Sequence, residues 1–141
     1  MYTLLIAVDG SEGSRRAVDH VVRLAAAGLP VAVHVLNVQI PVESGHVRMF
    51  IEAERIEGYY REEGLAALDP ACAVLAGAGL APSRHLAVGH VTETILHYAE
   101  KLRADQIVLG SNGGASLRHR LLGSVASDVA ARASVPVTLV R

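Results

Sequence analysis

The sequence predicts a doubly wound α/β domain, a three-layer α/β/α sandwich whose middle layer is a five-stranded parallel sheet of Rossmann-like type. Three observations predict it. Five short runs rich in branched residues recur, segments with helical spacing alternate with them, and three of the runs are nearly continuous in apolar residues. Continuous apolar runs are the pattern of strands covered on both faces, as in a parallel sheet. Alternating strands and helices, joined by right-handed crossovers, put helices on both sides of that sheet. With 141 residues, 51% of them apolar, the chain is sized for a single core, and no linker or internal repeat divides it, so residues 1–141 are expected to form one domain.

The elements follow in order. The runs "TLLIAV" (3–8), "VAVHVLNV" (31–38), "RHLAVG" (84–89), "QIVLG" (106–110) and "PVTLV" (136–140) are read as strands. Apolar stripes at helical spacing lie between them: Ala17, Val21, Leu24 and Ala25; then Ile95, Leu96, Ala99 and Leu102; then Leu122, Val125, Val129 and Ala133. The interval 44–78 is longer. It is expected to hold a helix through "MFIEAERIEGYYREEGLAAL" and then an irregular "DPACAVLAGAGLAP". The charges of this interval, Glu52, Glu54, Arg55, Glu57, Arg61, Glu62 and Glu63, read as a solvated helix face.

Several function classes are disfavoured by composition. A net charge of −1 gives no basic field for nucleic acid. The opening "MYTLLIAVDG" lacks a basic flank, and its apolar run is too short for a secretory signal or a membrane span, so a cytoplasmic protein without membrane association is expected. The one cysteine, Cys72, excludes an internal disulfide framework and reads as a small buried side chain; neither CxxC nor HExxH occurs. Among the seven histidines, His34, His85, His90 and His97 show no metal-ligand spacing.

In doubly wound sheets ligands sit beyond the carboxyl ends of strands, where the strand order reverses. Two strand ends carry suggestive residues. After the first strand, "VDGSEGS" places the Asp9 carboxylate, Gly10 and Gly13 where a helix begins. Asp9 with Glu12 resembles a helix-capping box, Ser11 is an equal candidate for the cap, and Asp9 is alternatively a ligand for ribose hydroxyls or for a phosphate-bound Mg²⁺. After the fourth strand, Gly110, Gly113 and Gly114 can form an anion-binding nest, and Gly123-Ser124 leads into the next helical stripe. Phosphate is the natural occupant of such a cradle. A helix terminus favours an anion by at most ~2 kcal/mol, whereas micromolar binding needs about 8, so further contacts to a nucleoside are required. There is no GxxxxGK[ST], the single lysine is Lys101, and GxGxxG is absent after the first strand, so P-loop and dinucleotide enzymes are disfavoured. Arg118, His119 and Arg120 are the candidate cations for phosphate.

With these residues in view, the chain resembles the universal stress protein family in its ATP-binding subgroup. Gly110, Gly113, Gly123 and Ser124 match the family's glycine motif in full, and "LLIAVDGSEGS", "HVLNV", "VGHVTETIL", "DQIVLGSNG" and "VPVTLVR" match its order nearly end to end. The resemblance implies an adenine nucleotide alpha hydrolase-like sheet of order 3-2-1-4-5. It implies that Asp9 meets ribose or metal-bound phosphate, that Ala7 and Val8 line the nucleoside, and that Val38 packs by adenine. Leu109 and Gly110 would lie along the nucleoside and phosphates, with Asn112, Gly113, Gly123, Ser124 and Val125 contacting phosphate. Gly114 stands where many relatives carry a large residue and Asn112 where histidine is common, so ATP, ADP and AMP all remain open as ligands, with Mg as a companion ion. A homodimer through the terminal strand, 135–140, is also implied. The functional expectation is a nucleotide-dependent stress-response module that acts through an unidentified protein partner. The alternatives are a slow Mg-dependent ATPase or phosphotransferase and a nucleotide-free dimeric interaction protein.

Overall fold

The computed structural model describes residues 1–41, 53–111 and 120–141. The elements are β1 (Tyr2–Ala7), α1 (Glu12–Ala26), β2 (Val31–Gln39), α2 (Ala53–Gly77), β3 (Ser83–Val88), α3 (Val91–Lys101), β4 (Gln106–Gly110), α4 (Arg120–Arg132) and β5 (Val137–Val140). The five strands make one parallel sheet in the order β3-β2-β1-β4-β5, with Ala7 opposite Leu36 and Ile6 opposite Val108. The expected topology is observed.

Side chains of β1 alternate between two cores. Leu4, Ile6 and Val8 join Ala17, Val18 and Val21 of α1 and Leu68, Cys72 and Leu75 of α2. Leu5 and Ala7 join Ile95 and Ala99 of α3, Ala126 and Val129 of α4, and Leu36, Ile107 and Leu109 of the sheet. Each fully buried leucine, isoleucine or valine contributes about 1.5–3 kcal/mol. Because α1 and α2 cover one face and α3 and α4 the other, the helix after β1 and the helix after β4 diverge to opposite faces from neighbouring strands. That divergence opens a crevice above β1 and β4.

Of the segment expected to be irregular, 69–82, the part up to Gly77 is instead helical: α2 runs without interruption to Gly77, with Pro70 inside it, and 78–82 is irregular as expected. Tyr60, Ala67, Leu68, Ala71, Cys72 and Leu75 are all buried and form one continuous stripe at helical spacing. Proline removes the bond to the carbonyl of Ala66. Ala66 and Pro70 both lie on the exposed side, where that carbonyl is open to water. The charged residues behave as expected where described, since Arg55, Glu57, Arg61, Glu62 and Glu63 are exposed. Cys72 is buried and free, and burial pushes its thiol pKa up.

Two histidines that sequence spacing leaves unrelated meet on adjacent strands. His34 Nδ1 and His85 Nε2 are 2.9 Å apart, and His85 also stacks edge-on against Tyr98. Burial, then His34, then Lys101 lower the His85 pKa from its ordinary 6.5. The unfolded chain therefore binds this proton more readily than the folded one. The stabilisation is complete above pH 6.5 and is lost as pH falls below it toward the depressed folded value. Melting temperature is expected to fall between about pH 7.5 and 5, with a shallower slope in His85→Gln.

Candidate functional site

The floor of the crevice is built from the ends of β1, β2 and β4. Past Ala7, the Val8 N–H still donates to the Leu36 carbonyl at 2.9 Å. The Val8 carbonyl accepts from the buried Asn37 amide at 2.8 Å, and Asn37 in turn accepts from Gln39 at 2.6 Å. Asn37 thus anchors the last residue before Asp9. Gly10 then adopts φ +82°, a left-handed turn that suits glycine, and the chain enters α1.

Ser11 is the helix cap. Its Oγ accepts from the Ser14 N–H at 3.2 Å, leaving Glu12 exposed in the first turn, where its charge favours the helix dipole. Asp9 has a different task. Its Oδ1 accepts from the Ser11 N–H at 2.9 Å and from Ser14 Oγ at 2.8 Å, while the Asp9 N–H donates to Ser14 Oγ at 2.9 Å. One carboxylate oxygen is therefore fixed by the loop, and no hydrogen bond among the described residues reaches Oδ2. Asp9 is exposed. A rigid carboxylate with one oxygen turned to solvent suits a diol, which it can accept from, or a hydrated Mg²⁺ held mostly by phosphate. Among the described residues no group of three His, Cys, Asp or Glu side chains is placed to hold a metal by itself.

At the neighbouring strand end, Leu109 and Gly110 are buried. Gly110 packs directly on the α1 backbone: a Cβ there would lie 2.2 Å from the Gly13 carbonyl oxygen and 2.8 Å from its Cα. Two glycines from distant segments thereby bring the β1–α1 turn against the end of β4. The Ser111 N–H bonds the Val140 carbonyl at 2.7 Å, which continues the β4–β5 ladder beyond Gly110.

The structure gathers several sequence-predicted residues. Ala7 and Leu109 are core members of the cluster against which Val38 and Val125 pack, so these four share one face of the sheet. Val8 belongs to the opposite core. Asn112 and Gly113 lie outside the described residues, as do Gly114, Arg118 and His119. The expected position of Gly123-Ser124 ahead of the helix is corrected: α4 begins at Arg120, so both residues lie inside it, and Ser124 is exposed. Ser14 and Asn37 are the residues that sequence reasoning missed. Only Ser14 had a local signal, as a second serine three residues after the cap in "SEGS".

A sequence profile described as the Universal stress protein family matches residues 1–141. The chain belongs to the universal stress protein family. Universal stress protein YxiE of Bacillus subtilis is 31% identical over 145 residues, covering 98% of this chain and 97% of the relative. Universal stress protein MJ0531 of Methanocaldococcus jannaschii is 31% identical, with coverage of 98% and 81%. Among solved structures, the hypothetical protein MJ0577 superposes with a TM-score of 0.80 at 27% identity, covering 99% of this chain and 94% of that one. A universal stress protein solved in complex with cAMP superposes with a TM-score of 0.71 at 25% identity, covering 99% and 97%. Among the described residues, no helix is long and apolar enough to cross a membrane.

Proposed function

We propose that this universal stress protein binds an adenine nucleotide, ATP or its products ADP and AMP, in the crevice above β1 and β4, and that occupancy alters its interaction with a protein partner in the cytoplasm. The observation that carries the reading is Asp9: its Oδ1 is held by Ser11 and Ser14, while the residue is exposed and no hydrogen bond among the described residues reaches its Oδ2. In this reading the ribose hydroxyls donate to Asp9, Val38 and Ala7 border the base, and Leu109 and Gly110 run beneath the nucleoside. Asn112, Gly113, Gly123, Ser124 and Val125 serve the phosphates, and Val8 supports the floor from below. The cAMP-bound relative supports an adenine nucleotide as the ligand class. If Mg²⁺ accompanies the phosphates, Asp9 is the side chain placed to hold it, and the ion would neutralise phosphate charge. Within this reading binding is preferred over turnover.

The test is to denature freshly purified protein and identify the released small molecules. An adenine nucleotide at a sizeable fraction of one per chain is expected. Its absence, together with no heat on titration with ATP, ADP or AMP, would refute the proposal.

The same reading includes a homodimer through 135–140. β5 ends the sheet, so one of its edges is unpaired, and Leu139 on it is 40% exposed. Unpaired apolar edges invite pairing with another strand. Light scattering at micromolar concentration is expected to give twice the chain mass, and a monomer mass would exclude the dimer.

A further inference from the structure

We propose that the His34–His85 pair is an acid-released latch that fastens the edge strand β3 and the last turn of α3 to the sheet. It does not depend on the nucleotide reading. β3 has a strand neighbour on one side only, β2, so side chains share the task of holding this edge. His34 alternates with Val33 and Val35 of the α1–α2 core, which puts it on the face that α3 covers. His85 is level with Leu36, so the two rings meet along a diagonal between the strands. Their facing nitrogens are 2.9 Å apart and their ring centroids 5.1 Å, which sets the imidazoles almost end to end. Tyr98 of α3 stands edge-on to His85 at 5.6 Å, and Lys101 Nζ lies 5.1 Å from the centre of the Tyr98 ring. One chain of contacts therefore runs from β2 through β3 to the end of α3.

This geometry accepts one proton and opposes a second. With both rings neutral, one facing nitrogen donates and the other accepts, whichever tautomer is adopted. A first proton enters at the outer nitrogen of the donating ring, leaves the bond in place and makes it charge-assisted. Both rings are half-buried, so their outer edges reach water. The free lone pair that remains is the facing nitrogen of the accepting ring, and a proton there sets N–H against N–H and charge against charge. Lys101 adds a third positive charge nearby. No carboxylate among the described residues pairs with either ring. Arg84 points to the other face, where it pairs with Asp69 of α2; β1 brings Leu5 opposite His34; and α3 brings Tyr98, Lys101 and His97, which packs edge-on against Tyr98. Burial first, then His34 and Lys101, lower the basicity of His85, in keeping with a resisted second proton. The doubly charged pair relieves its repulsion by parting. Because β3 is free on its outer side and Tyr98 rests on His85, that edge and the last turn of α3 move while β1, β2 and β4 stay paired.

The experiment is an NMR titration of the full chain from about pH 8 to 4, following imidazole and backbone amide signals in wild type, His85→Gln and His34→Gln. In wild type, His34 and His85 are expected to titrate together in two steps, the second below the 6.5 of an unperturbed histidine. That second step shifts the amides of His85, Tyr98 and Lys101 and leaves those of Leu5 and Ile107 in place. In each glutamine variant the remaining histidine titrates in a single step, without the shift at Tyr98 and Lys101. Independent single titrations of His34 and His85 in wild type would overturn the latch. So would a second step that leaves the β3 and α3 amides unmoved, or unfolding of the whole chain before those amides shift.

Discussion

Gly110→Val is expected to destabilise the protein by about 3 kcal/mol or more, whereas Gly13→Ala is expected to be neutral or to stabilise it by up to about 1 kcal/mol. The two glycines touch, but their missing side chains point differently. A Cβ at Gly110 is aimed into the Gly13 peptide, 2.2 Å from its oxygen and 2.3 Å from its carbonyl carbon. That obstacle is backbone, so no rotamer change relieves it. The head of α1 would have to lift from the sheet and expose Ala17 and Val18, which are buried beneath it. A Cβ at Gly13 meets Ser11 Oγ at 3.6 Å and Gly110 at 3.8 Å, ordinary contact distances, and gains helix propensity. Urea denaturation midpoints check the pair. A near-wild-type midpoint for Gly110→Val would show that α1 and β4 are not in register as described.

The second large effect concerns Asp9. Asp9→Ala removes the acceptor for both Ser11 and Ser14, which costs about 1–3 kcal/mol of stability, and it removes the outward oxygen, which costs roughly tenfold to a hundredfold in nucleotide affinity. Asp9→Asn separates the two. Its amide oxygen can still accept from the loop, so stability stays near wild type, while the lost charge weakens ribose and metal contacts. Equal nucleotide affinity in wild type and both variants would remove Asp9 from the site. Thermal melting and calorimetry on the same preparations read the two effects.

The fold was legible because its signals are local and mutually consistent: continuous apolar strands, striped helices and short connections. The failure on α2 has a physical cause. "DP" is a local breaker, yet the stripe Leu68, Ala71, Cys72 and Leu75 is buried against the sheet, and that tertiary gain outweighs the missing bond at Pro70, whereas "GAG" does end the helix, with Gly79 at φ +82°. The position of Asp9 and its role apart from the cap became clear only in three dimensions, because Ser11 and Asp9 compete for the cap on sequence alone. Asn37 carries no spacing signal, and it matters because the Val8 carbonyl has run past its strand partner. The His34–His85 pair is likewise a product of β2–β3 register, in which Leu36 faces His85 across the strands and the histidines meet diagonally.

The central claim is that an adenine nucleotide lies above β1 and β4 with its ribose on Asp9. A crystal structure of the protein grown with saturating ATP and Mg²⁺ tests it most directly. The account predicts nucleotide density in that crevice, with a ribose hydroxyl within hydrogen-bond distance of Asp9 Oδ2 and the phosphates directed toward the end of β4 at Gly110. Nucleotide density elsewhere on the molecule, or a crevice filled only by water under those conditions, would contradict it.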